Sequence, residues 1–101
     1  MSEKADIFYN TLDEIEKMFD NAGIWYDVYS TDYYHDVISY GNHYEIDIEI
    51  DGDWKHDHLY ADKLVKDRFG NKLVDINEYD ADEDDINGDT YKSVHEYKFR
   101  Y

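Results

Sequence analysis

The most regular pattern along the chain is the alternation of apolar and polar residues in HYEIDIEIDGD, residues 43–53. A period of two predicts a half-buried strand, because successive side chains of an extended chain point to opposite faces. One face would carry Tyr44, Ile46, Ile48 and Ile50, and the other His43, Glu45, Asp47, Glu49 and Asp51. The apolar face would supply the centre of a core, and the polar face would present a row of carboxylates.

The N-terminal segment has helical periodicity instead. Apolar residues recur at spacings of three and four, which predicts a helix over 2–22 with Ser2 as N-cap. Gly23 would end it, since glycine readily adopts the left-handed conformation that follows a helix. The stripe consists of Phe8, Leu12, Ile15, Phe19 and Ala22, widened by Ile7 and Met18.

Between residues 24 and 51 the chain is rich in aromatic and β-branched residues, which favour strands. We predict a three-stranded antiparallel unit with strands at 24–30, 33–40 and 43–51. Ser30, Thr31 and Asp32 would form the first turn. Gly41 and Asn42 would form a two-residue hairpin loop.

A second helix is predicted over 54–69, with Asp53 as its N-cap and Gly70 at its end. The competing interpretation places a hairpin tip at Phe69, Gly70 and Asn71. Strands at 72–79 and 90–100 would enclose an acidic loop at 80–89. One face of the last strand would carry Tyr91, Ser93, His95, Tyr97 and Phe99.

The whole chain of 101 residues is therefore expected to form a single small α+β domain. Its antiparallel sheet would have about five strands, in the element order α-β-β-β-α-β-β, with helix on one face. The order of the strands within the sheet does not follow from the sequence.

The net charge and composition of the chain exclude several classes of function. Ten Lys and Arg residues oppose 26 Asp and Glu residues, for a net charge of −16, which argues against direct binding to nucleic acid or anionic lipid. Twelve tyrosines and the absence of proline favour a folded domain over an acidic disordered tail. With no cysteine, no disulfide or thiolate site is expected. No signal peptide or membrane span is apparent, so we expect a soluble cytoplasmic protein.

Two segments invite a metal interpretation. The loop at 80–89 fails as a calcium loop, because starting at Asp80 places Asp85 where glycine is required. His56 and His58, beside Asp53 and Asp57, would share a metal only if that segment were a strand. No catalytic motif is recognisable, so we expect no catalysis, metal or cofactor; a small metal-dependent enzyme using His56 and His58 stays an alternative.

The remaining signal is the carboxylates themselves. A rigid carboxylate array can satisfy the Lys and Arg residues with which another protein holds nucleic acid, and aromatic rings can fill its base-stacking pockets. The candidate partner-binding residues are Glu45, Asp47, Glu49, Asp51, Asp32, Asp36, Tyr33, Tyr34, Trp25, Asp80, Asp82, Glu83, Asp84 and Asp85.

The acidic strand row, the run DADEDD at 80–85 and the mixture WYDVYSTDYYHD at 25–36 resemble a known class of inhibitor. These are small, acidic, cysteine-free proteins of phages and mobile elements, including nucleic-acid-mimicking anti-restriction and anti-CRISPR inhibitors. The resemblance implies a non-catalytic inhibitor in a bacterial host cell. Its partner would be a basic nucleic-acid-binding protein, such as a CRISPR effector or another defence nuclease.

Three questions stay open at this point. The inhibitor would act by occupying the groove, by locking a conformation or by gripping a dimer interface. The chain would be a monomer or a homodimer. A second class of function is a structural or interaction module of a phage or mobile element, whose acidity serves only solubility.

Overall fold

A computed structural model describes the backbone of residues 3–37, 41–80 and 91–100, and side chains within 9–31, 43–53, 55–79 and 92–100. The elements in chain order are α1 (Glu3–Ala22), β1 (Trp25–Val37), β2 (Gly41–Gly52), a π-helical turn (Trp54–Leu59) that continues into α2 (Tyr60–Phe69), a 3₁₀ turn (Gly70–Lys72), β3 (Leu73–Asp80) and β4 (Tyr91–Arg100). No helix among these residues is long and apolar enough to cross a membrane.

The described strands form one antiparallel sheet in the order β1-β2-β4-β3, so β2 and β4 are central. The predicted α+β class is confirmed. The predicted apolar face of β2 is also confirmed, because its four apolar residues are buried in the core. That core joins the inner face of the sheet to both helices through Ile15, Phe19, Ala61 and Val65. We call the opposite side of the sheet its outer face.

The three-stranded unit predicted over 24–51 is wrong, since β1 and β2 are two long strands. Ser30, Thr31 and Asp32 lie within β1 and pair with β2 instead of forming a turn. The register shifts between Val28 and Ser30, which leaves Tyr29 as the extra residue of a bulge. The irregularity therefore lies just before these polar residues, within one continuous strand.

The predicted hairpin loop is also displaced. Gly41 and Asn42 belong to β2, and Val37 pairs with Gly41. The connection itself, residues 38–40, lies outside the described residues.

Both helices end where the glycines predict. Gly23 adopts φ 73°, its N–H donates to the carbonyl of Asp20, and the N–H of Ile24 donates to the carbonyl of Phe19. This pair of bonds is a Schellman motif, and the buried Ile24 and Phe19 provide its usual apolar contact. Gly70 adopts φ 53° after α2.

The second helix is confirmed, and the alternative hairpin is wrong. It begins with a π-helical turn capped by Asp53, whose side chain accepts bonds from the backbone N–H groups of Lys55 and His56. These bonds lower the pKa of Asp53. In return, the Asp53 N–H donates to the Asp57 carboxylate over 2.7 Å.

Candidate functional site

The acidic row of β2 lies on the outer face but is less exposed than its alternation predicts. Glu45 and Asp47 retain only 6% and 5% of their accessible surface, and Glu49 and Asp51 are half-buried. Because β2 lies between β1 and β4, side chains of both neighbouring strands flank the row and cover part of its surface. Glu45 and Asp47 are therefore poorly placed to contact a partner directly.

The side chains beside the row hold the two buried carboxylates in place. Ser30 donates a hydrogen bond to Asp47 Oδ2 over 2.7 Å. The ammonium group of Lys98 lies 3.9 Å from Glu45 Oε1. Glu96, whose backbone is directly opposite Asp47, adds a third carboxylate to the group.

Burial, together with the hydrogen bond and the negative charge of the neighbouring Asp47, raises the pKa of Glu45 to about 7. Within the described residues, Asp47 Oδ1 is buried without a hydrogen-bond partner. Glu45 therefore carries less negative charge near neutral pH than an exposed carboxylate does.

Two carboxylates of this row, with three from α1 and β1, line a cleft of about 570 Å³ beside the edge strand β1. It is lined by the carboxylates of Glu16, Asp20, Asp27, Glu49 and Asp51 together with Ile24, Trp25, Tyr26, Val28 and Lys92. We call this the acidic cleft. The five carboxylates face a single ammonium group among the residues described there.

The surroundings of the acidic cleft show how negative it is. Burial and the charges of Glu16 and Asp20 raise the pKa of Tyr26 to about 12. Asp27 pairs directly with Glu49 across β1 and β2, an arrangement of like charges that destabilises a sheet. Trp25 is 75% exposed at its rim, so a large aromatic ring projects beside the carboxylates.

The predicted contact residues fall in four places. The backbone of Asp32, Tyr33, Tyr34 and Asp36 lies in β1, and Asp80 ends β3, but their side chains are outside the described set. Asp82, Glu83, Asp84 and Asp85 lie wholly outside the described residues. Trp25, Glu49 and Asp51 are brought together at the acidic cleft. Glu45 and Asp47 lie further along the central strand.

His56 and His58 do not share a site. His56 is exposed near the start of the second helix, whereas His58 is completely buried. The alternative grouping with Asp53 and Asp57 also finds no support, because those carboxylates accept backbone hydrogen bonds at the helix start. The alternative enzyme built on His56 and His58 loses its proposed ligand pair.

A different polar cluster forms between the second helix and the inner face of the sheet. His58 Nδ1 lies 3.0 Å from His95 Nε2, 3.6 Å from Glu78 Oε2 and 2.9 Å from Ser93 Oγ. His95 Nε2 lies 3.2 Å from Glu78 Oε2 and 3.0 Å from Ser93 Oγ. Ser93 donates to Glu78 Oε2 over 2.5 Å. We call these four residues the histidine centre.

A second set of contacts orients the histidine centre. His95 Nδ1 lies 2.8 Å from Asp62 Oδ1, which also accepts a hydrogen bond from the Tyr97 hydroxyl over 2.8 Å. Burial, followed by the charge of Asp62, raises the pKa of Tyr97 well above its usual value. The imidazole rings of His58 and His95 stack with their centroids 5.2 Å apart.

Sequence reasoning missed this centre because its members come from three elements. One signal was available in β4, where Ser93 and His95 alternate with outward residues on the same face as Tyr97 and Phe99. All four are completely buried. Two polar residues at inward positions of a central strand require buried partners, and that requirement points to a polar cluster.

Comparison with known proteins finds no matching family model, no matching curated protein and no matching solved structure.

Proposed function

We propose that the protein is a non-catalytic inhibitor that docks its acidic cleft onto the basic nucleic-acid-binding surface of another protein. The observation that carries the proposal is the exposure of Trp25 beside five carboxylates of the cleft. The partner class follows from charge complementarity, because surfaces that bind phosphate present Lys and Arg. A defence nuclease such as a CRISPR effector fits this class and the resemblance of the sequence to anti-defence inhibitors.

The like-charged pair Asp27 and Glu49 supports a binding role. Cross-strand pairs of the same sign cost stability, and a carboxylate facing a lysine at this position would stabilise the sheet instead. A basic partner placed against the pair would remove the repulsion on binding. Relief of this repulsion would thus contribute to the binding free energy. The attraction between opposite charges would also make association faster and sensitive to salt.

Trp25 supplies the second component of the contact. Exposed tryptophans are enriched among residues that dominate binding energy, and they can stack on Arg side chains. On a nucleic-acid-binding protein, the same ring would fit a pocket that normally receives a base. Tyr29, 59% exposed in the bulge of β1, adds a further aromatic side chain on the same strand.

Affinity capture tests the proposal. Tagged protein would be mixed with bacterial lysate, washed over a series of salt concentrations, and its retained partners identified by mass spectrometry. We expect one nucleic-acid-binding protein that is released by salt. Recovery that is unaffected by salt, or capture of no nucleic-acid-binding protein at low salt, would favour a structural or interaction module.

Matched variants distinguish the effect of the acidic cleft on capture from the effect of net charge. Asp27→Lys should abolish capture without unfolding the protein, because it relieves repulsion with Glu49. Asp67→Lys makes the same change at an exposed position on α2 outside the cleft and should retain capture. Trp25→Ala should weaken capture without loss of stability, since its side chain is largely exposed. Equal losses in the Asp27 and Asp67 variants would show that only total charge matters.

A further inference from the structure

We propose that the histidine centre is a structural zinc site whose protein ligands are His58, Glu78 and His95. This inference is independent of the proposed inhibitor function, because the centre lies between the second helix and the inner face of the sheet. His58 belongs to the π-helical turn, Glu78 to β3 and His95 to β4. A bound ion would tie these three elements together.

The separations of the ligand atoms fit zinc. Zinc bonds nitrogen and oxygen at about 2.0–2.1 Å, so neighbouring corners of its tetrahedral shell lie about 3.3–3.4 Å apart. His58 Nδ1, His95 Nε2 and Glu78 Oε2 are separated by 3.0, 3.2 and 3.6 Å, which bracket that value. An octahedral shell with bonds of similar length would require about 2.8–3.0 Å, shorter than two of the three separations.

The positions of the hydrogen-bond donors and acceptors in the centre are also compatible with a cation. The bond between His95 Nδ1 and the Asp62 carboxylate places a proton on Nδ1 of a neutral ring, so Nε2 presents a lone pair. The Ser93 hydroxyl donates its hydrogen bond to Glu78 Oε2. His95 Nε2 and Glu78 Oε2, 3.2 Å apart, are then both acceptors, and His58 Nδ1 lies 3.0 Å from the first and 3.6 Å from the second. With the His58 proton on its other ring nitrogen, a cation among these three atoms would bond all of them.

Ser93 Oγ lies close to all three ligand atoms and is the candidate for the fourth ligand. It lies 2.5–3.0 Å from the three ligand atoms, somewhat closer than the fourth corner of a regular tetrahedron. A small outward shift of the hydroxyl would let it complete the shell. With Ser93 as the fourth ligand no position is left for water, which is typical of structural zinc and unlike a catalytic site, where water takes the fourth position.

The surroundings suit a metal ligand. His58 and His95 have no exposed surface, and the Glu78 side chain is 23% exposed. Asp62 holds His95 in the correct tautomer, as carboxylates commonly do for zinc-bound histidines. π-Helical turns are rare and often occur at functional sites, and here the turn carries His58. Two imidazoles with one carboxylate favour zinc over calcium or magnesium, which prefer oxygen.

Metal analysis of tag-free protein is the first test. Protein purified without chelator and dialysed against metal-free buffer should retain equimolar zinc. His58→Ala and His95→Ala should lose it, whereas His56→Ala should keep it. His56 is the matched control, because it is a histidine of the same helical segment but is exposed.

A titration covers the case in which the buried variants fail to fold. Wild-type protein stripped with chelator should regain thermal stability on addition of zinc. Cobalt substitution should produce the strong visible absorption of tetrahedral Co²⁺. Glu78→Gln should abolish that spectrum, and Asp62→Asn should weaken zinc affinity by about 10- to 100-fold, as loss of a supporting carboxylate does.

The competing explanation is a proton in place of the metal, with a doubly protonated His95 between Asp62 and Glu78. The proposal is overturned if stripped wild-type protein neither binds zinc nor gains stability from it. NMR of the imidazole nitrogens that shows His95 protonated at both positions would then support the proton as the alternative. Octahedral in place of tetrahedral cobalt spectra would overturn the proposed geometry. Capture of a partner protein has no bearing on any of these results.

Discussion

At the scale of single residues, burial decides what each carboxylate can do. Glu45 and Asp27 lie on neighbouring strands, yet Glu45 is 6% exposed and Asp27 is open to solvent. Glu45 gains a raised pKa and a partner in Asp47, whereas Asp27 is free to meet a cation outside the molecule. A formal charge counted from the sequence therefore overstates the charge that the outer face presents.

The raised pKa of Glu45 predicts a specific pH dependence. A group whose pKa is higher in the folded protein lowers stability as pH rises from its unfolded value, about 4.5, to its folded value of about 7. Glu45→Gln removes this charge. It should stabilise the protein by on the order of 1 to 3 kcal/mol at high pH and have little effect below the unfolded pKa.

Urea unfolding at pH 4 and pH 8 measures this difference, with Asp67→Asn as the exposed control. The control should change stability little at either pH. A Glu45→Gln effect of the same size at both pH values would mean that Glu45 carries no raised pKa.

The histidines mark the limit of sequence reasoning at this scale. His56 and His58 are neighbours in sequence and suggested a shared site, but helical geometry separates their side chains. His95 is 37 residues from His58 in sequence, yet their ring nitrogens lie 3.0 Å apart. Only the packing of helix on sheet brings them together, and no local pattern encodes that contact.

At the scale of elements, periodicity identified faces better than boundaries. The alternation in β2 correctly assigned Ile46, Ile48 and Ile50 to the core, because side-chain direction is a local property of a strand. Local residue types gave the wrong turn at Ser30 to Asp32, where pairing with β2 overrides their turn preference. The exposed fraction of the acidic row also could not be predicted from the residues of β2 alone, since it depends on the strand order β1-β2-β4-β3.

The end of α1 offers a test of an element boundary. Gly23 adopts φ 73°, and a Cβ atom added there would meet nothing within 4 Å. Gly23→Ala should therefore destabilise the protein by about 1 kcal/mol through backbone conformation alone. Gly23→Asn should cost less, because asparagine tolerates the left-handed region.

Thermal unfolding of both variants, with Asn21→Ala in the preceding exposed turn as control, measures this ordering. An alanine variant as stable as the wild type would contradict the Schellman arrangement of Gly23 and Ile24.

At the scale of the whole molecule, the net charge of −16 implies internal repulsion. Raising the ionic strength from about 0.01 M to about 0.15 M shortens the Debye length from about 30 Å to about 8 Å. Thermal stability should rise over this range, because screening relieves the repulsion. The exposed ion pair between Arg68 and Glu14 opposes this trend only weakly, since such pairs contribute about 0–1 kcal/mol.

Scanning calorimetry over that range of sodium chloride measures the effect, and Asp67→Lys should reduce it. A melting temperature that falls as salt is added would show that favourable ion pairs outweigh the repulsion.

Displacement of nucleic acid from a captured partner tests the inhibitor account most directly. A labelled nucleic acid would be bound to the partner, and its fluorescence anisotropy followed as the protein is added. We predict that wild-type protein and Asp67→Lys release the nucleic acid, less effectively at high salt, and that Asp27→Lys does not. If the partner holds the protein and its nucleic acid at the same time, with anisotropy unchanged, the acidic cleft does not occupy the nucleic-acid-binding surface.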